Sequence, residues 1–236
     1  MSVEQYQEPI VAIVPAAGIG SRMGAEVPKQ YLMLDDRCIL SHTLTVLLQH
    51  DNIAKVIVAL HPDDEFFSAL PEYQHPKLMI VIGGKERADS VLAALTAAEN
   101  QMPNAWALVH DAARPCLTHS DIDKLIASRR EFPQGAILAM PVRDTMKRGN
   151  AQGEIVNTFC RDLLWHALTP QLFPLTTLKV NLSGAIAQGA NITDEASAME
   201  WAGVMPGLVS GRADNIKVTH PDDLRLAALF LAKISN

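Results

Sequence analysis

The chain has 236 residues and a mass of 25.7 kDa, with 48% hydrophobic and only 5% aromatic residues and a formal charge of −6. A chain of this size buries roughly 70% of its unfolded surface, so it needs no disulfide or metal staple. The acidic balance excludes a general binder of nucleic acid or of acidic membranes, though not of small anions, for which local positive charge suffices.

Glu4 and Glu8 precede the first apolar run without a basic segment, which argues against a signal peptide. No apolar stretch approaches the roughly 18 residues of a membrane span, and a cytoplasmic protein is expected. Cys38, Cys116 and Cys160 are an odd set without paired spacing and read as reduced thiols.

The first apolar run, residues 10–14, predicts a buried strand. It leads into Pro15-Ala16-Ala17-Gly18-Ile19-Gly20-Ser21-Arg22-Met23-Gly24, then Pro28-Lys29-Gln30-Tyr31. Small residues let backbone N–H groups approach phosphate oxygens, and Arg22 and Lys29 add charge beside them. Pro15, Ala16, Ala17, Gly18 and Gly20 are therefore candidate contacts to a nucleotide triphosphate. A plain strand-to-helix turn with two surface cations is the simpler alternative. The run is not a Walker A loop, which needs Gly-Lys followed by Ser or Thr. It also misses the dinucleotide fingerprint, because Asp35 and Asp36 come before the second strand instead of at its end.

A helix is predicted over residues 40–49 and a strand over 56–60. His61-Pro62-Asp63-Asp64 follows and recurs as His220-Pro221-Asp222-Asp223, a pattern that suits a helix start. The next strand, 78–82, runs into Gly83-Gly84-Lys85-Glu86-Arg87-Ala88-Asp89-Ser90 before a helix over 90–98. Gly84 and Ser90 are candidates to meet a base, and Asp89 or Ser90 to cap the helix.

Strand 107–110 ends at His110-Asp111-Ala112-Ala113-Arg114-Pro115, where the Asp111 carboxylate is placed to hold magnesium or a substrate hydroxyl. Asp121-Ile122-Asp123 resembles a metal signature, but Thr118 and Ser120 before the helix over 121–130 make capping the better reading. His42, His50, His75 and His119 lack metal-ligand spacing and are expected on the surface.

After a strand at 136–140, two extended pieces at 142–147 and 154–160 flank a turn at 149–153 and predict a β-hairpin. Its Val142, Met146, Ile155, Val156 and Phe159 need a surface to bury against, in the same chain or another. Beyond it stand polar motifs around Arg161, Thr169-Pro170-Gln171, Thr193-Asp194-Glu195-Ala196-Ser197 and Gly211 to Val218. Thr145, Arg161, Asp214 and Lys217 fall outside regular elements and suit a second anionic ligand facing the triphosphate loop. Pro221 opens a final helix to about Ile234. Strands and helices in alternation predict an α/β fold with a mostly parallel sheet, as a single domain over 1–236.

In this order the motifs resemble the 2-C-methyl-D-erythritol 4-phosphate cytidylyltransferases. Pro28-Lys29-Gln30-Tyr31, His110 to Pro115, Asp144-Thr145, Thr169-Pro170-Gln171, Thr193-Asp194-Glu195 and Asp214-Asn215-Ile216-Lys217 carry the likeness. The resemblance implies a three-layer, Rossmann-like nucleotidyltransferase fold and a homodimer that exchanges the arm at about 142–161. It also implies CTP as substrate and Mg²⁺ as cofactor, with Asp111 or Asp214 as candidates to lie near the ion. Arg22 and Lys29 would stabilise the transition state, and Arg161 and Lys217 would position the methylerythritol phosphate, with Asp111, Arg114, Thr145 and Asp214 around it. Lys85 departs from the pattern, standing where many relatives carry an acid. Ribitol 5-phosphate cytidylyltransferases share much of this pattern and are the alternative. A nicotinamide-dependent oxidoreductase, suggested by the glycines after the first strand, is a more distant one.

Overall fold

The computed structural model describes residues 8–18 and 27–234. In chain order the elements begin β1 (Ile10–Ala16), β2 (Met33–Leu34), β3 (Arg37–Cys38), α1 (Ile39–Gln49), β4 (Ile53–Leu60), β5 (Leu78–Ile82), α2 (Arg87–Gln101) and β6 (Trp106–Val109). They continue with α3 (His119–Ala127), β7 (Ala136–Pro141), β8 (Met146–Gly149), β9 (Ile155–Phe159), β10 (Trp165–Pro174), α4 (Leu175–Ala187), α5 (Glu195–Trp201), β11 (Gly207–Ser210) and α6 (Pro221–Ile234). Seven strands form one sheet in the order β11-β7-β10-β6-β1-β4-β5. β10 runs antiparallel to both of its neighbours, and the other pairs are parallel.

β1 shows why the early strands read as unbroken apolar runs. Ile10, Ala12 and Val14 pack with Leu40, Leu44, Ile122 and Leu125 from α1 and α3. Val11 and Ile13 point the other way, onto Val91, Leu95, Leu178 and Leu182 from α2 and α4. Successive residues alternate between faces, and helices cover both faces, so no position is left for a polar residue. α6 lies apart on a smaller cluster built from Leu34, Ile39, Cys116, Val218 and Ala227.

Each predicted strand and helix up to residue 140 is present, with shifted ends. α2 starts at Arg87, ahead of the expected 90, because Glu86 and Asp89 form a reciprocal capping box. Thr118 is the N-cap of α3, with Asp121 completing the same motif, so capping accounts for Asp121, while Asp123 faces His50. Pro221 does open α6, and Asp223 accepts from the N–H groups of Thr219 and His220. The first copy behaves otherwise: Pro62 lies in a turn, and Asp64 accepts from the N–H groups of Phe66 and Phe67 at the start of a short 3-10 turn, Phe67–Ala69.

His50 departs from the surface expected of it. It is 3% exposed, lies edge-on to His119 at 5.0 Å and sits 3.2 Å from the Asp123 carboxylate. Burial pushes its pKa down, partly countered by Asp123. Cys38 and Cys116 are buried and Cys160 is exposed, all as free thiols.

β8 and β9 pair only with each other, forming the expected arm between β7 and β10. The Val142 N–H donates to Leu164 O at 2.9 Å and closes its base. Ile155 and Val156 on the arm are 67% and 61% exposed. Among the described residues no helix is long and apolar enough to cross a membrane.

Candidate active site

The sheet order fixes where a ligand can sit. The chain steps outward from β1 to β4 and β5, then jumps to β6 on the other side of β1. Loops leaving the carboxyl ends of β1 and β6 thus diverge and open a crevice. A cavity of about 490 Å³ fills it. Pro15, Ala16, Ala17 and Gly18 line it together with the residues from Gly84 to Arg87 and Ser90. Asp111, Ala112 and Ala113 lie at the end of β6, and Lys29, Lys217 and Thr219 complete the lining.

Close approach explains the paired glycines. A Cβ on Gly83 would lie 2.6 Å from Ala17 Cβ, and one on Gly84 would lie 2.2 Å from Asp89 Cβ. The Ser90 hydroxyl holds this loop, accepting from the Gly84 N–H at 3.1 Å and donating to Glu86 O at 3.2 Å. Gln30, 5% exposed, donates to Ala16 O at 2.8 Å and fastens the Lys29 turn to the end of β1.

Asp111 is the electrostatic centre. Its Oδ1 accepts from Arg87 Nε at 3.0 Å, while Oδ2 lies 2.8 Å from Lys217 Nζ and 3.7 Å from Arg114 Nε. Burial alone would raise its pKa, but Arg87, Lys217 and Arg114 hold it well below the usual carboxylate range. Arg87 spends its other two nitrogens on Glu195, at 2.7 and 3.1 Å. Three cations against two carboxylates leave this cluster net positive, as a site for an anion requires.

Backbone staples place Lys217. The Arg114 Nη1 donates to Asn215 O at 2.8 Å, Asn215 Nδ2 donates to Thr169 O at 2.8 Å, and the Val218 N–H donates to Ala113 O at 2.8 Å. His110 is fully buried beneath them. Its Nε2 faces the Arg114 carbonyl at 3.1 Å, so that nitrogen carries the proton. Nδ1 then accepts from the Thr169 hydroxyl at 3.0 Å, and that oxygen accepts the Asp111 N–H at 3.1 Å.

Burial pushes the His110 pKa from 6.5 down to about 4, with the Arg114 carbonyl opposing it. A depressed histidine stabilises the fold while it is neutral. That contribution is whole above pH 6.5 and is lost as pH falls through 4, amounting to on the order of 3 kcal/mol. An NMR titration of the ring should show no transition near pH 6.5; a midpoint there contradicts the assignment.

Of the sequence-predicted residues, the cavity brings together Pro15, Ala16, Ala17, Gly18, Lys29, Gly84, Ser90, Asp111 and Lys217. Arg114 stands directly behind Asp111. Gly20 and Arg22 lie outside the described residues. Thr145 and Arg161 sit on the exposed arm, where Arg161 Nη1 donates to Arg143 O at 2.6 Å. Asp214 faces a separate depression shared with Phe230 and pairs with Arg212 at 2.7 Å. Arg87, Glu195, Gln30 and Thr219 were not singled out by the sequence reading. The first three lie inside motifs that it did quote.

Asp111 and Asp214 do not fit a protein-held magnesium ion. Asp111 has both oxygens committed to cations, and Asp214 pairs with Arg212. Among the described residues no group of three or more His, Cys, Asp or Glu could hold a metal.

The family model for IspD, 2-C-methyl-D-erythritol 4-phosphate cytidylyltransferase, matches residues 10–233. The chain is 71% identical over 229 residues to the 2-C-methyl-D-erythritol 4-phosphate cytidylyltransferase of Shewanella pealeana, covering 97% of this chain and 98% of the relative. Its fold is similar to a crystal structure of 4-diphosphocytidyl-2C-methyl-D-erythritol synthase, with a TM-score of 0.83 and 34% identity over 96% of this chain and 100% of that one. The Francisella tularensis 2-C-methyl-D-erythritol 4-phosphate cytidylyltransferase gives a TM-score of 0.83 and 34% identity, covering 94% and 100%. A cationic cavity at the switch point of the sheet, within a match that runs nearly end to end, leaves one conclusion: the chain belongs to the 2-C-methyl-D-erythritol 4-phosphate cytidylyltransferase family.

Proposed function

We propose that this chain converts CTP and 2-C-methyl-D-erythritol 4-phosphate to 4-diphosphocytidyl-2-C-methyl-D-erythritol and pyrophosphate. The observation that carries this reading is the cavity itself, with Lys29, Lys217, Gly18 and Gly84 on its lining. A phosphate monoester has its second pKa near about 6 and is mostly dianionic at neutral pH, so its oxygen needs no general base. His110 suits that reading, since both of its ring nitrogens are already engaged.

A phosphate oxygen of the methylerythritol phosphate forms the new bond to the α-phosphorus of CTP. The bond from that phosphorus to the bridging oxygen of the β-phosphate breaks, and pyrophosphate leaves with the electron pair. Positioning and fixed charge supply the catalysis. Lys29 with Arg22 neutralises charge around the reacting phosphate, and Lys217 beside Asp111 holds the incoming one. Gly84 and Ser90 border the base. The Mg²⁺ requirement implied by resemblance follows the triphosphate that the nucleotide brings. The active form is a homodimer whose arm carries Thr145 and Arg161 to the neighbouring cavity, supported by the apolar residues that the arm leaves exposed.

Base choice tests the reading. Pyrophosphate release should show CTP preferred over ATP and GTP in kcat/KM. Comparable efficiency with ATP removes cytidine from the assignment and leaves a nucleotidyltransferase of other specificity.

A further inference from the structure

Glu195 is 1% exposed at the start of α5, yet the helix does not need it as a cap. Asp194 and Ser197 already form the reciprocal capping pair there. A carboxylate so buried is costly unless its charge is met. Arg87 meets it with both terminal nitrogens and turns its Nε–H to Asp111, whose other oxygen meets Lys217. The four side chains alternate in sign from α5 to the cavity wall.

We propose that Glu195 is a positioning residue for the polyol-phosphate end of the cavity, acting through Arg87 and Asp111 on the Lys217 ammonium; this rests on the function proposed above. With Glu195 in place, the Arg87 fork is occupied and Asp111 keeps one oxygen for Lys217. Without that charge, the fork is free to close on Asp111 in the bidentate geometry that arginine favours with carboxylates. Lys217 then loses the partner that orients it. Arg87 follows the Gly84 loop in the lining, but its three bonds run to Glu195 and Asp111, and neither Lys29 nor Gly84 is a partner in them.

Glu195→Gln keeps the shape and removes the charge. It should raise KM for 2-C-methyl-D-erythritol 4-phosphate about tenfold and change KM for CTP less than about twofold. Added to Lys217→Gln, it should have little further effect, because the two act in series, whereas independent sites add. Arg87→Lys keeps the cation without the fork and should give the same split, which covers a Glu195→Gln chain that fails to fold. Wild type that releases no pyrophosphate overturns the functional reading itself. Wild-type turnover with both KM values moving alike, with neither moving, or with additive double variants overturns the positioning role.

Discussion

Lys29→Ala should lower kcat by about 10²–10³-fold, the scale for one fixed donor aimed at developing charge, with a smaller change in KM for CTP. Gln30 ties the turn to Ala16 O, and Tyr31 donates to Asp64 at 2.7 Å, so the variant should keep its fold. The charge matters most when the α-phosphorus carries two partial bonds and charge gathers on the departing pyrophosphate. Steady-state kinetics on a variant with an unchanged melting temperature checks this. An unaltered kcat would make Lys29 a surface cation that happens to face the cavity.

If the proposed homodimer forms, mixing nearly inactive Arg161→Ala and Lys29→Ala chains through unfolding and refolding should restore activity. Arg161 lies on the arm and does not line its own chain's cavity, whereas Lys29 does. If the arm serves a neighbouring cavity, a mixed dimer has one site lacking both groups and one lacking neither. Random assortment makes half the dimers mixed, so recovery should approach about one quarter of wild type. A refolded, dimeric mixture no more active than its parents excludes the exchange of Arg161.

The sequence made β1 and α1 legible because each has a simple burial pattern. β1 is covered on both faces, and α1 buries Ile39, Leu40, Leu44, Leu47 and Leu48 at helical spacing. Of the elements after the arm only α6 was legible, from Pro221 at its start; β10, α4, α5 and β11 were not. In β10 the pairing register breaks between Ala167 and Gln171, and Thr169 and Gln171 turn buried polar groups to the site and to α5. A strand that carries function through its middle does not alternate like a plain strand. α4 spaces Leu175, Leu178, Leu182 and Ala185 correctly, but exposed Val180 and mid-helix Gly184 blur its apolar stripe. Gly184 is there for packing, since a Cβ would lie 3.1 Å from the Trp201 ring.

The candidate site divides in the same way. Residues that line the cavity from within their own motif, such as Ala17, Gly84 and Lys29, were visible from local chemistry. Arg87 and Glu195 stand 108 positions apart, and only the fold puts them in contact. His50 was misread for a similar reason, because its partners Asp123 and His119 belong to another helix.

The most direct measurement of the central claim is pyrophosphate release by the purified chain with CTP and Mg²⁺, comparing 2-C-methyl-D-erythritol 4-phosphate with ribitol 5-phosphate. Release that depends on the methylerythritol phosphate, with a matching yield of the cytidine diphosphate adduct, is the expected result. Release only with ribitol 5-phosphate, or none with either, contradicts it.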